Sequence, residues 1–345
     1  MPGGGDKRRI VVADDSRLMR RMLADALGRQ GFDVVATAAD GDAALAACRE
    51  HRPDALTLDL AMPGLDGIGV LRALRDGRAE PVPVVVVSAF SPAHGARAVD
   101  ALAEGAFDLV AKPAVGESMA SFSSELGRKV AEAAHSGRVR RPALRRRLAP
   151  VAARRATGAG RAVIIACSTG GPKALAELIP RLPSPLGAGT LIVQHMPPGF
   201  TKSLAGRLDG ASALRVREAA GGDALEPDLA LLAPGGSHLR LDEAHRVQIS
   251  GEEPVGGLRP RADLTITDAA RAFGRRLLLV VLTGMGKDGL RGAEDVRRAG
   301  GRVLVEAEAT CTVYGMPRAV AEAGLAHEVL GLDQLAGAIA REATA

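Results

Sequence analysis

Three stretches of this chain place a side chain suited to acyl transfer at the end of an apolar, strand-like run. VIIACSTGGP leads into Ser168, GTLIVQH ends on His195, and LLLVVLTGMGKDG carries Asp288 just past its apolar part. A serine hydroxyl attacks a carbonyl only when a base takes its proton, and an imidazole base needs a partner that fixes its ring and tautomer. A strand, then S-T-G-G-P, then an amphipathic run would leave Ser168 above a tight turn at a sheet edge. Gly170 and Gly171 permit such a turn, and Pro172 suits the first turn of the next helix.

The pattern has the outline of a nucleophile elbow, G-x-S-x-G, with Ala166 where the first glycine would stand. It is not a phosphate loop of the G-x-G-x-x-G or GK[ST] kind. Taken alone, Ser168 also reads as a helix N-cap or a phosphate-binding turn. His195 alone reads as a hydrogen-bonded histidine, although the rigid MPPGFT turn after it holds it at the same edge as Ser168. Asp288 alone reads as an N-cap. The chain order is Ser, His, Asp. His327, in AGLAHEVLG, would give the order of the α/β-hydrolases, but that stretch does not end a strong strand.

A second constellation lies in the first third of the chain. Strand-like runs end in Asp14-Asp15, in Asp59, in Ser88 and in Lys112-Pro113. Converging carboxylates raise one another's pKa unless a cation neutralises them. An all-oxygen cluster suits Mg²⁺, which takes few carboxylates and keeps room for water and phosphate oxygens. Asp59 is then a phosphoryl acceptor, Ser88 a hydrogen-bond donor to the phosphoryl group, and Lys112 its counter-charge.

These residues need a scaffold that brings strand ends together. RRIVVAD, DVVATA, ALTLDL, VPVVVVSA and DLVAKP read as five strands separated by helical periodicity. In DSRLMRRMLADAL, Leu18, Met19, Met22, Leu23, Ala26 and Leu27 share one face. After residue 161 the alternation resumes with VIIAC, GTLIVQH, LRVREA, LALLAP, LLLVVLTG and RVLVEA, with PKALAELIPRL and KDGLRGAEDVRRAG as helices and HLRLDEAHRVQIS as a hairpin. Strands this apolar are covered on both faces. The fold class is therefore α/β, as two doubly wound, mostly parallel domains: 8–130 and 161–345, joined by an Arg-rich linker at 131–160.

Composition narrows the function. The chain has 345 residues, 47% apolar and 25% charged, with no Trp and a single Tyr, so the cores are aliphatic. No stretch suits a membrane helix or a signal peptide, so a cytoplasmic location without membrane insertion is expected. Cys48, Cys167 and Cys311 are widely spaced and read as plain buried thiols. The net charge of +5 comes from nine arginines between Arg138 and Arg161; without them 36 basic residues face 40 acidic ones. With no helix-turn-helix pattern behind that run, a solvated joint is expected and nucleic acid is not. A regulator whose second domain only binds a partner is the alternative to an enzyme.

The DD, LTLD-x-x-MPG-x-DG, VVVVS and KP series resembles the receiver domain of two-component response regulators, a flavodoxin-like fold. ACSTGGP, VQHMPPGFTKSLAGRL, LAPGGSHL, LTGMGKDG and TVYGMPRA resemble the Rossmann-like catalytic domain of the chemotaxis receptor methylesterases, the CheB family. The resemblance spans nearly the whole chain. It departs at Ala166-Cys167, where the family commonly has Gly-Ala, and at VEAEATCTVYGMP, where QDEATSVVYGMP is more usual.

The resemblance implies a phosphorylation-activated carboxylic ester hydrolase that removes methyl groups from glutamate esters of chemoreceptors as methanol and also deamidates receptor glutamines. It implies Ser168, His195 and Asp288 as the catalytic residues, the Met285 backbone at the oxyanion, and no cofactor for ester hydrolysis. In the receiver it implies phosphorylation at Asp59, with Mg²⁺ held by Asp15, Asp59 and the Ala61 carbonyl and reached by Asp14 through water. Its implied partners are methyl-accepting chemoreceptors and the histidine kinase of a chemotaxis-type pathway, with the protein itself a monomer. An aromatic switch residue often stands three positions before the lysine in receivers; here it is Leu109, which cannot signal by aromatic rotation.

Overall fold

The computed structural model describes residues 7–77, 81–89, 92–113, 118–136 and 160–345. The chain divides into two units, Met1–Pro142 and Ala143–Ala345.

The first unit alternates β1 (Arg9–Ala13), α1 (Arg17–Arg29), β2 (Asp33–Ala38), α2 (Gly41–His51), β3 (Ala55–Leu58), α3 (Gly67–Arg75), β4 (Val84–Ser88), α4 (Pro92–Glu104), β5 (Asp108–Ala111) and α5 (Met119–Ser136). Side-chain caps start the early helices: Ser16 accepts Met19 N–H at 3.3 Å, Asp40 accepts Ala43 N–H at 2.8 Å and Asp66 accepts Gly69 N–H at 2.8 Å. The five strands form one parallel sheet in the order β2-β1-β3-β4-β5. The order reverses between β1 and β3, and a doubly wound sheet binds ligands at the carboxyl ends of the strands flanking that reversal. Those two ends carry Asp14-Asp15 and Asp59.

The second unit runs β6 (Ala162–Cys167), α6 (Gly171–Leu178), β7 (Thr190–Gln194), α7 (Phe200–Asp209), β8 (Arg215–Glu218), β9 (Leu229–Leu232), β10 (His238–Leu241), β11 (Val247–Ser250), α8 (Ala262–Phe273), β12 (Leu277–Val281), α9 (Leu290–Arg298), β13 (Arg302–Glu306), α10 (Met316–Glu322), β14 (Glu328–Leu330) and α11 (Leu332–Ala343). Seven strands form a parallel sheet in the order β14-β13-β12-β6-β7-β9-β8, and β10-β11 form an antiparallel hairpin. Every residue of β6, β7, β9 and β12 is buried, as a sheet covered on both faces requires. Here the order reverses between β6 and β12, the strands that deliver Ser168 and Asp288.

The expected strands and hairpin all form, and four details differ. Leu18 does not join the buried face of α1: it is 70% exposed, because it sits in the first turn, beyond the part of the helix that rests on the sheet. Helix α5 runs to Ser136, past the expected domain boundary at 130, since Leu126, Val130, Ala133 and Ala134 extend one buried stripe. The rest of the expected linker, from 137 to 159, lies outside the described residues. β14 is a three-residue strand, too short to announce itself in the apolar pattern. Helix α8 escaped the apolar-periodicity reading because Asp263, Thr265 and Asp268 lie on its buried side.

Cys48, Cys167 and Cys311 are buried, and among the described residues none is in a disulfide. Burial pushes the Cys48 thiol up to about 11, and burial together with the nearby Glu306 raises Cys167 further, so neither is a ready nucleophile. Among the described residues no helix is long and apolar enough to cross a membrane.

Candidate active site

Ser168 is the first residue beyond β6 and is 9% exposed. The next strand over is β7, and the pairing Cys167↔Gln194 at its end makes His195 the lateral neighbour of Ser168. The ladder continues into the turn, with His195 N–H donating to the Cys167 carbonyl at 3.1 Å and Ser168 N–H to the Thr283 carbonyl at 3.0 Å. The Ser168 carbonyl accepts Gly171 N–H at 2.7 Å and Gln194 Nε2 at 3.0 Å. These bonds tie the serine to both neighbouring strand ends.

The two glycines of the turn are required by space as well as by backbone angle. Gly170 has φ +79°, and a Cβ there would stand 2.3 Å from Cβ of Thr312; a Cβ on Gly171 would stand 2.0 Å from Gln194 Oε1. Gly284 plays the matching part across the site, since a Cβ on it would lie 2.8 Å from Ser168 Cβ. Met285 follows, so its N–H belongs to the peptide leaving that glycine, and its side chain is 36% exposed.

His195 Nε2 lies 2.7 Å from Asp288 Oδ2. Asp288 is 2% exposed, and its carboxylate is ringed by donors, with the Asp263 carboxylate as its one acidic neighbour among the described residues. Oδ2 also accepts Ala262 N–H at 2.7 Å, while Oδ1 accepts Asp263 N–H at 2.9 Å and Gly289 N–H at 3.0 Å and pairs with Arg261 Nε at 2.8 Å. Ala262 and Asp263 open α8, so the carboxylate also sits at the positive end of that helix. Burial alone would raise the Asp288 pKa; the His195 hydrogen bond and charge, the Asp263 N–H and Arg261 outweigh it and hold the carboxyl well below the usual range.

The structure thus brings His195 and Asp288 into direct contact and sets Ser168 beside His195. Among the described residues Ser168 Oγ makes no hydrogen bond to the imidazole. Catalytic hydrogen bonds commonly tighten only when substrate is bound. His327 is elsewhere: its Nδ1 accepts Val303 N–H at 3.0 Å near the start of β13, at the opposite edge of the sheet.

Several supporting residues were invisible in the sequence reading. Arg261 spans Asp288 and Asp263, reaching Asp263 Oδ2 at 2.7 Å. Asp263 Oδ1 in turn accepts Gly289 N–H and Gly292 N–H, each at 2.9 Å, and so caps α9 in place of Asp288. His238 is fully buried, receives Arg261 N–H on Nδ1 at 3.2 Å, and meets the Glu253 carbonyl with Nε2 at 3.2 Å. Its place in LAPGGSHL therefore serves to position the Arg261 loop.

Glu306, at the end of β13, is fully buried and accepts Thr283 N–H on Oε2 at 2.8 Å. Thr283 is the residue whose carbonyl holds Ser168 N–H, so Glu306 braces the strand end beside the serine. Burial raises its pKa, against opposing hydrogen bonds from Thr283, Thr310 and Cys311. A carboxyl with a raised native pKa binds its proton more tightly folded than unfolded, so it costs stability as pH climbs above the unfolded value of ~4.3. Glu306→Gln is therefore expected to raise Tm at pH 7 by a few degrees and to lose that advantage near pH 4. Thermal melts of both proteins at the two pH values check this; an equal shift at both would contradict it.

In the first unit the acidic cluster forms as expected. Carboxylate oxygens of Asp14, Asp15 and Asp59 all lie within 4.8 Å of one another, with Asp14 and Asp59 buried and Asp15 exposed. Lys112 Nζ stands 2.7 Å from Asp14 Oδ2 and 3.0 Å from Asp59 Oδ2. Burial raises the Asp14 pKa, opposed by Lys112. Burial would lower that of Lys112, yet the two carboxylates raise it. Ser88 ends β4 and is 2% exposed. The set is all oxygen, with one acid open to solvent, which fits a hard divalent cation such as Mg²⁺. Leu109 is buried in β5, and its carbonyl accepts a hydrogen bond from Lys129 on α5.

Comparison with known proteins matches a family to each of the two units. Residues 163–339 match the model of the CheB methylesterase family, and residues 10–121 match the response regulator receiver domain. A protein-glutamate methylesterase/protein-glutamine glutaminase of Symbiobacterium thermophilum is 46% identical, with 96% of each chain covered. One of the same name from Pyrococcus abyssi is 37% identical over 99% of this chain and 95% of its own. The crystal structure of the Thermotoga maritima CheB methylesterase catalytic domain is 42% identical, covering 53% of this chain and 99% of that one, with a TM-score of 0.52.

Proposed function

Because this chain belongs to the CheB methylesterase family and carries a response regulator receiver domain ahead of the methylesterase domain, we propose that it is a protein-glutamate methylesterase and protein-glutamine glutaminase, with Ser168 as nucleophile, His195 as base and Asp288 as the group that orients the base. The observation that carries this reading is the 2.7 Å pair between His195 and Asp288, at the same sheet edge as Ser168.

Asp288 receives Nε2–H, which leaves Nδ1 of His195 to take the serine proton. Ser168 Oγ then attacks the side-chain carbonyl of a methylated glutamate. The tetrahedral oxyanion draws on backbone N–H groups, with that of Met285 as the candidate; one such donor is worth ~2.7–4 kcal/mol. Methoxide is a poor leaving group, so His195 returns the proton and methanol departs. Water attacks the acyl-serine by the same proton route and releases glutamate. A glutamine side chain passes through the equivalent intermediate and releases ammonia.

Control resides in the receiver. A chemotaxis-type histidine kinase donates a phosphoryl group to Asp59, and the substrates are methyl-accepting chemoreceptors met by a monomer in the cytoplasm. Asp15, Asp59 and the Ala61 carbonyl would hold Mg²⁺, with Asp14 reaching it through water; when bound, the ion supplies charge neutralisation for phosphoryl transfer. Ser88 hydrogen-bonds the phosphoryl oxygens. Lys112, now shared by Asp14 and Asp59, turns to the new dianion. Such a switch needs only a two-state element biased by the added charge.

Methanol release from methylated receptors tests the reading. A phosphodonor with Mg²⁺ is expected to raise the rate by between about 5- and 150-fold, the usual span of such couplings. Asp59→Asn should keep the basal rate and lose the stimulation. Full stimulation of Asp59→Asn would refute the receiver assignment.

A further inference from the structure

We propose that the groove between α8 and α9 is a docking strip for an acidic segment of the receptor, next to the glutamate being processed. The proposal rests on the methylesterase reading and extends it to how substrate is chosen.

Both helices begin at the catalytic edge. The first N–H groups of α8 hold Asp288, and α9 starts two residues after it. Between them the surface sinks into two adjoining cavities of about 150 and 310 Å³, both lined by Thr267 and Arg271. The smaller lies towards the rim and includes Arg291; the larger continues down the helices and includes Arg298. Twelve residues of α8 give the strip a length of about 18 Å.

Its charge is one-sided where it meets solvent. Arg271, Arg291 and Arg298 are exposed. The acids of the groove are already engaged: Asp295 accepts Thr267 Oγ1 at 2.7 Å and pairs with Arg298, and Asp263 is held by Arg261. Arg271 and Arg291 form no ion pair among the described residues. Glu294 is the exposed acid on α9.

The proposed reaction supplies the complementary charge. Each ester hydrolysed, and each glutamine deamidated, leaves a glutamate carboxylate on the receptor. A cationic strip that begins at the catalytic edge then binds receptors that already bear carboxylates near a remaining ester more tightly than fully neutral ones. The enzyme would so favour partly processed receptor over untouched receptor.

The test measures fluorescence anisotropy of a labelled peptide with closely spaced glutamates, and of its all-glutamine counterpart, on the full chain. Two exposed charge pairs account for up to about tenfold in affinity at low salt. The glutamate peptide is expected to bind about tenfold tighter, with the contrast gone in 0.5 M NaCl, where screening is strong. The R271E/R291E variant should abolish or invert the contrast, and R271Q/R291Q should weaken it. Equal binding of the two peptides, or a contrast that survives both double variants, would overturn the proposal. Methanol release is read on the same preparations: selective peptide binding without methanol would sink the esterase reading and leave the strip standing.

Discussion

Asp288→Asn is expected to lower methanol release by about four orders of magnitude, the scale of the equivalent change in serine triads. The reason lies in the four hydrogen-bond donors and the Arg261 guanidinium around the carboxylate. If the asparagine amide nitrogen takes the Oδ2 position, it confronts Ala262 N–H and must donate to His195 Nε2. That forces the proton onto Nδ1, the atom that has to accept from Ser168. If the nitrogen takes the Oδ1 position, it confronts Asp263 N–H, Gly289 N–H and Arg261. Either way donors are left facing donors, so stability falls along with rate. The pH dependence has a definite sign. A carboxylate held below its unfolded value stabilises the fold above pH ~3.9 and loses that contribution as pH falls through the native value. Thermal melts should therefore show Asp288→Asn furthest below the parent near neutrality, with the gap narrowing in acid. A variant that retains more than a tenth of the parent rate would remove Asp288 from the proton line.

Ser168→Ala is expected to cost more, about a millionfold, because the residues of such a triad act as a unit and the nucleophile has no substitute. The adjacent Cys167 cannot stand in: burial raises its thiol, and its Sγ is spent on Gln194 Oε1 at 3.0 Å. The fold should tolerate the change, since the backbone groups of Ser168 make the structural hydrogen bonds while its hydroxyl makes none among the described residues. The variant should still bind methylated receptor, and receiver phosphorylation should be unaffected. Methanol release by Ser168→Ala at a rate near the parent's would disprove the nucleophile.

The strand ends were the legible part. An apolar run that stops at a serine, a histidine or an acid marks the carboxyl edge of a parallel sheet, and that logic was enough to group Ser168 with His195 and Asp288 and to set His327 apart. The acidic corner was legible for the same reason. What supports Asp288 was not. Arg261 precedes, and Asp263 opens, a helix whose inner face carries Asp263, Thr265 and Asp268, so an apolar-period reading passes over it. Their burial is explained by hydrogen bonds to other elements, Asp263 to the start of α9 and Thr265 to the Leu239 carbonyl, which a linear pattern does not record. Glu306 looked like the end of a strand and nothing more, because its partner Thr283 lies in a different strand's exit. Leu18 shows the converse: helical spacing was right, but spacing does not say where a helix leaves the sheet.

The central claim is that a serine, an imidazole and a carboxylate from three strand ends form one line for moving a proton. Treating the protein with an alkyl fluorophosphonate, which a nucleophilic serine attacks at phosphorus with loss of fluoride, tests that line directly. Mass spectrometry should find one phosphonyl group per chain, on the peptide that holds Ser168. Its rate of attachment should fall as the solution is acidified and collapse in His195→Ala. A label on any other residue, or a Ser168 that reacts equally fast without His195, would contradict the account.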